Sequence, residues 1–166
     1  MGRQHDSHVT SARLRLFKKK GPQSTGRGRK GLSTKIHVGL SGDCLRGACL
    51  SEGQRTDMKV FSELWATGNW EDTKHVIADK GYDFYDVRKR ISDSGKNPII
   101  PRRQGAICPG LHTEENRARY KTRSAIERFF GRIKENRRLA LRFDKLDVTF
   151  FSFFAIACLK AFKLIC

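Results

Sequence analysis

The chain has 166 residues, with 34 Lys plus Arg against 17 Asp plus Glu and a formal charge of +17. That length suits one domain with its own core, and 38% apolar residues including 11 Phe argue against wholesale disorder. So large a cationic surplus argues against an ordinary enzyme of small neutral metabolites. It matches a protein that covers a polyanion, since each cation meeting a phosphate releases condensed counterions. Cys44, Cys49, Cys108, Cys158 and Cys166 are odd in number and contain no C-x-x-C, so neither a zinc ribbon nor a disulfide framework is expected. The start MGRQHDSH has no apolar core, and the apolar run Val148 to Leu159 is too short to span a bilayer. The expectation is a soluble, cytoplasmic chain with no membrane partner.

Residues 1–35 read mostly as a basic, Gly-rich loop, with one strand expected from His8 to Leu14. Within it, LFKKKGPQSTGRGRKG (Leu16 to Gly31) is not a Walker loop, because no G-K-[ST] closes it. It is either a flexible linker or an arm whose Lys18, Lys19, Lys20, Arg27, Arg29 and Lys30 sit on phosphates; the two are compatible. The alternation of TKIHVGL (Thr34 to Leu40) predicts a strand, Ser41-Gly42-Asp43 a turn, and CLRGACL (Cys44 to Leu50) its hairpin partner. DMKVFSELW (Asp57 to Trp65) places Met58, Phe61, Leu64 and Trp65 on one helical face. HVIA (His75 to Ala78) reads as a buried strand ending in Asp79, with Gly81 allowing a sharp turn. A helix is expected over Tyr82 to Ser92 and a short strand over Asn97 to Pro101, which together make a mixed α/β sheet. Glu114 to Arg138 reads as one helix and Leu146 to Cys166 as a second, more apolar one. Trp65 and Trp70 are expected to pack in the core, His5 and His8 to lie at the surface, and Glu52 and Asp57 to serve at a turn and a helix start.

In YKTRSAIERFFGRIK (Tyr120 to Lys134), an unbroken helix at 100° per residue gathers Tyr120, Arg123, Glu127 and Lys134 within a stripe of about 60°. Ile126, Phe129 and Ile133 form the core-facing side. Glu127 then lies at the boundary of buried and exposed faces, either in a cleft at the sheet edge or as a surface acid making i,i+4 contacts. Asp79, at a strand end, needs pairing, hydrogen bonding or a metal; capping a turn is its plainer role. Asp6 precedes the first strand. Three carboxylates on different elements suit hard divalent cations. Two such ions, roughly 4 Å apart, would clamp the attacking and leaving oxygens of an in-line phosphoryl displacement.

The segments GRGRKGLSTKIH, ADKGYD and RFDKL, and the intact spacing Y-x2-R-x3-E-x6-K, resemble bacterial insertion-sequence transposases of the DDE type. The resemblance runs from about Asp6 to the C-terminus. It implies an RNase H-like fold, a mixed sheet flanked by helices with a helical C-terminal half. It also implies Asp6, Asp79 and Glu127 as catalytic metal ligands for two Mg²⁺ ions, for which Mn²⁺ can substitute. Tyr120, Arg123 and Lys134 would contact DNA phosphates near the cleaved bond. The implied activity is strand cleavage at transposon ends and strand transfer into target DNA, by dimers or larger synapses at the bacterial nucleoid. Only five polar residues precede Asp6, where the family carries a longer strand and a DNA-binding segment. The expectation is therefore a single truncated catalytic domain, as in the downstream frame of a two-frame element whose upstream product would be a partner. Two other readings stay open: a non-enzymatic DNA-binding fragment, and a nuclease of the same fold without strand transfer.

Overall fold

A computed structural model of the chain describes residues 5–16, 24–28, 31–106, 111, 113–144 and 146–163. Strand β1 (His5–Leu16) pairs antiparallel with β3 (Gly31–Ser41), which pairs antiparallel with β4 (Cys44–Glu52) through the tight Gly42-Asp43 turn. Gly42 has φ +59, the left-handed conformation that such a turn needs and glycine adopts without strain. The short β2 (Gly26–Gly28) precedes β4 along the outer edge of β3. On the far edge of β1, β5 (Thr73–Ala78) runs parallel to its first half and β7 (Leu141–Arg142) parallel to its end. β6 (Asn97–Ile99) then extends the sheet parallel to β5.

Alternation divides the side chains between two cores. Ile36, Val38 and Leu40 of β3 pack against Ile126, Phe129 and Ile133 of α4 (Ser124–Lys134), Leu139 of α5 (Arg137–Ala140), and Phe150 and Phe154 of α6 (Asp147–Ala161). On the other face, Val9, Val76 and Ala78 pack against Phe61 and Leu64 of α1 (Asp57–Thr67), and Val87 and Ile91 of α2 (Tyr85–Asp93). Buried on both faces, β5 shows Val76, Ile77 and Ala78 in succession rather than an alternating pattern. Trp70 stacks on Trp65 at 4.8 Å, and its ring lies where a Cβ on Gly39 would be, 2.2 Å away; only glycine permits that approach. Three antiparallel strands, further parallel strands and helices on both faces make the RNase H-like arrangement that the resemblance implies.

Several boundaries differ from expectation. β1 and β3 are longer, β2 lies inside the supposed loop, and Tyr82 belongs to a 3-10 turn (Lys80–Tyr82) ahead of α2. The long helix over 114–138 is three pieces: α3 (Glu114–Lys121), α4 and α5. Thr122 breaks the first junction by donating its hydroxyl to the Arg119 carbonyl at 2.7 Å, and Asn136 ends α4 at the second. His8 is buried at 5% exposure rather than at the surface. Lys18, Lys19, Lys20, Arg29, Lys30, Cys108 and Cys166 lie outside the described residues.

Phe154 is wholly buried between α6 and the sheet. Phe154→Ala is expected to lower the unfolding free energy by about 3–5 kcal/mol in a denaturant titration. A loss below about 1 kcal/mol would contradict this packing.

Candidate active site

Parallel pairing of β1 and β5 sets the site. Asp79 follows Ala78 at the strand end with extended backbone, and its carboxylate accepts the Gly81 N–H at 2.9 Å. Partners across the register share a face: His8 opposes Leu40 and Ile77, and Asp6 opposes His75. Alternation thus carries Asp6 to the side on which α4 packs, whereas Asp79 follows the last residue of β5 and lies beside Asp57 and Tyr82, on the side of α1 and α2. Along the strands they are separated. Asp6 stands level with His75, four residues before Asp79, which is about 13 Å at 3.3 Å per residue. Its carboxylate accepts Arg119 Nη1 at 3.0 and 3.2 Å, and Arg119 also pairs with Glu115.

The acid that reaches Asp79 is Asp57, the first residue of α1. A Cβ at Gly81 would lie 2.9 Å from Asp79 Oδ1 and 3.4 Å from Asp57 Oδ2; their sum, 6.3 Å, is the greatest separation these oxygens can have. Asp57 Oδ1 accepts Lys35 Nζ at 2.9 Å and Ser11 Oγ at 3.1 Å. Beneath them the phenol of Tyr82 is fully buried, 3.4 Å from His37 Nδ1, while His37 Nε2 meets Ser51 Oγ at 2.7 Å. Burial, with Asp57 and Asp79 adding, holds the Tyr82 hydroxyl well above its ordinary value, so it stays protonated.

The residues alone give Asp57 only a helix-start role, and they do not single out Lys35, His37, Ser11 or Tyr82. A signal exists: Lys35 and His37 are two apart on a strand and share the face that Ser11 completes.

The helix stripe is not continuous. Tyr120 ends α3, Arg123 caps α4, and Glu127 and Lys134 lie on α4. The three central residues still meet, because Arg123 Nη1 donates to the Tyr120 hydroxyl at 2.9 Å and Nη2 donates to the Glu127 carboxylate. Glu127 is exposed, with 59% of its side chain accessible, and Lys134 is exposed too. Next to Asp79, Asp83 collects Arg88 at 2.8 Å, Arg102 at 3.4 Å and the Arg103 N–H at 2.9 Å. Burial works to raise this carboxyl, but those donors outweigh it and hold it below the ordinary value. Arg27 is exposed on β2.

Six carboxylates among the described residues are buried or half-buried: Asp6, Asp57, Asp79, Asp83, Asp144 and Asp147. Asp6 pairs with Arg119, Asp57 with Lys35, Asp83 with Arg88 and Arg102, Asp144 with Arg138, and Asp147 with Arg142. Asp79 forms no ion pair with any described residue. The atoms that it and Asp57 offer are all oxygen, the chemistry a hard divalent cation takes. Among the described residues no group of three His, Cys, Asp or Glu is close enough to hold a metal ion. No helix among them is long and apolar enough to cross a membrane.

The mixed sheet flanked by helices, with a half-buried acid after β5 and a Tyr-Arg-Glu cluster spanning α3 and α4, is consistent with an RNase H-like fold. A family profile described as "Transposase DDE domain" matches residues 3–159, and the chain belongs to that family. A Brucella ovis protein described as "Putative transposase for insertion sequence element IS6501" is 36% identical over 88 residues, which is 51% of this chain. The chain spans 63% of that relative's length. No solved structure matches the chain.

His37 generates a pH prediction. Burial first, then Lys35 and Arg55 against the opposing pull of Asp57, lowers its value from 6.5 to about 4. The folded state then binds fewer protons than the unfolded state between those values. Stability should therefore be full above pH 6.5 and be lost as pH falls towards 4, by on the order of 3 kcal/mol. Melting temperatures across this window should fall in the parent and stay flatter in His37→Gln; equal slopes would contradict a buried neutral imidazole.

Proposed function

We propose that the chain is the catalytic domain of a DNA transposase that carries out metal-dependent polynucleotidyl transfer, cutting at element ends and joining them to target DNA. The observation that carries this reading is Asp79, the only buried or half-buried acid among the described residues without an ion pair, in a chain of charge +17. Asp79, Glu127 and Asp6 are the carboxylates assigned to two Mg²⁺ ions, with Mn²⁺ able to substitute. Asp57 stands beside Asp79 as a further oxygen donor. Such ions, when bound, supply charge stabilisation for in-line displacement at phosphorus. The chain's own residues do the rest. Asp79 is oriented by the Gly81 N–H, and Glu127 by Arg123, which Tyr120 holds in turn. Tyr120, Arg123, Lys134 and the basic arm around Arg27 supply phosphate contacts. A homo-oligomeric synapse on DNA at the nucleoid, with an upstream-frame product as a further partner, completes the proposal.

Binding without cleavage is the second reading. It is favoured by the arginines on Asp6 and Glu127, and by the four-residue offset between Asp6 and Asp79.

Nicking of supercoiled DNA by the purified chain in Mg²⁺ separates the two. Asp79→Asn and Glu127→Gln should lower nicking by about 10²-fold or more while DNA binding survives. Unchanged nicking in Asp79→Asn would refute the assignment, and no nicking by the parent would favour the binding fragment. For the remaining acid, Asp6→Asn should abolish nicking. Asp57→Asn should reduce it less and lower the melting temperature, because Lys35 and Ser11 are deprived of their charged acceptor. The reverse ranking would move the metal role from Asp6 to Asp57.

A further inference from the structure

The motif RFDKL takes no part in the site above, yet it contains a cation that is completely buried. Arg142 has 0% exposure. Its Nε donates to the Asp144 carbonyl at 3.2 Å, Nη1 to Thr34 Oγ1 at 2.7 Å and Nη2 to Asp147, while its guanidinium lies 4.7 Å over the Phe150 ring. Burying a guanidinium is tolerable only where its donors are used. Two of the acceptors it fixes converge on one serine. Asp147 Oδ2 accepts both the N–H of Ser24 at 2.8 Å and its hydroxyl at 2.6 Å, and Thr34 Oγ1 donates to the Ser24 carbonyl at 2.5 Å. Ser24 is thus held at its N–H, carbonyl and hydroxyl by two side chains that Arg142 positions.

Ser24 leads into β2, within the basic sequence Leu16 to Gly31. Loops usually satisfy their backbone with water and vary freely, so such anchorage at one point needs a reason. Position supplies it. β1 runs parallel to β5 and continues past it, and its far end is where Arg15 opposes Ser33, which itself opposes Gly26. Ser24 and β2 therefore lie at the same end of the sheet as Asp79.

We propose that Arg142 and Asp147 form a clamp that fixes Ser24 and β2 at the Asp79 end of the sheet, so that Arg27 meets the DNA backbone in one fixed register. Both are positioning residues; neither contacts DNA. The clamp rests on the DNA-binding reading above. At neutral pH it is set: burial raises the Asp147 carboxyl, but Ser24 and Arg142 outweigh burial and keep it below its ordinary value.

The test is binding of the full chain to a labelled DNA duplex, followed by fluorescence anisotropy across a salt series. Asp147→Asn removes a negative charge, so bulk electrostatics predicts tighter binding, whereas the clamp predicts weaker binding. Ser24→Ala leaves the charge and the Arg142–Asp147 pair intact and should weaken binding in the same direction. Each should reduce affinity roughly tenfold at low salt, and the slope of log K against log salt should shrink by about one unit for each phosphate no longer engaged. Arg27→Ser should weaken the parent but add little in the Ser24→Ala background. Tighter binding by Asp147→Asn, or parent-like binding by both clamp variants, overturns the proposal. If Arg27→Ser alone weakens binding, the arm touches DNA without a clamp and the DNA reading stands. If Arg27→Ser, made together with Arg29→Ser and Lys30→Ser, changes nothing, the arm does not touch DNA and the clamp falls, while the nicking test of Asp79 is unaffected. A fall in the melting temperature of Ser24→Ala that accounts for its weaker binding would assign the contacts to general stability and overturn the positioning role.

Discussion

Removing a carboxylate from water at the end of a buried strand is costly unless something replaces the lost hydration. With 34 Lys and Arg in the sequence, neutralising cations are abundant, and the fold places one beside five of the six acids that are not exposed among the described residues. Among the described residues Asp79 accepts the Gly81 N–H and forms no ion pair. Parallel pairing with β1 fixes where β5 ends, Tyr82 lies near Asp79 and meets His37, and Asp57 faces Asp79 across Gly81. The neighbours of Asp79 are a second carboxylate and a phenol that stays protonated.

The other cations are distributed by the same constraint. Arg123 ties Tyr120 to Glu127 across the break between α3 and α4, so a cluster spread over two helices keeps one geometry. Arg119 holds Asp6, and Arg88 and Arg102 hold Asp83 beside the strand end. Arg142 does not reach the strand end at all, and organises Ser24 and Thr34 instead. Arg27 and Lys134 are exposed.

Much of this is legible in the residues, for identifiable reasons. Period-two alternation in TKIHVGL and CLRGACL marks the β3–β4 hairpin, and the apolar run HVIA before an acid marks β5 and its strand-end carboxylate. Helical spacing marks α1 and the buried face of α4. The break at Thr122 is not legible: no Pro or Gly signals it, and the hydroxyl that competes for the Arg119 carbonyl could equally have faced water. The full length of β1 and the burial of His8 are hidden as well, because a polar sequence gives no alternation to separate the two faces. Asp57 reads only as a helix-start acid because helix position is local, whereas its approach to Asp79 depends on how α1 crosses the end of β5.

The proposed catalytic role of Asp79 requires that it bind a divalent cation. A ligand that binds only the folded state raises its melting temperature, so the direct measurement is thermal unfolding of the purified chain with increasing Mg²⁺ or Mn²⁺ at constant ionic strength. A saturable rise in the parent that is absent in Asp79→Asn is the predicted result. The same rise in both proteins, or none in the parent, would contradict it.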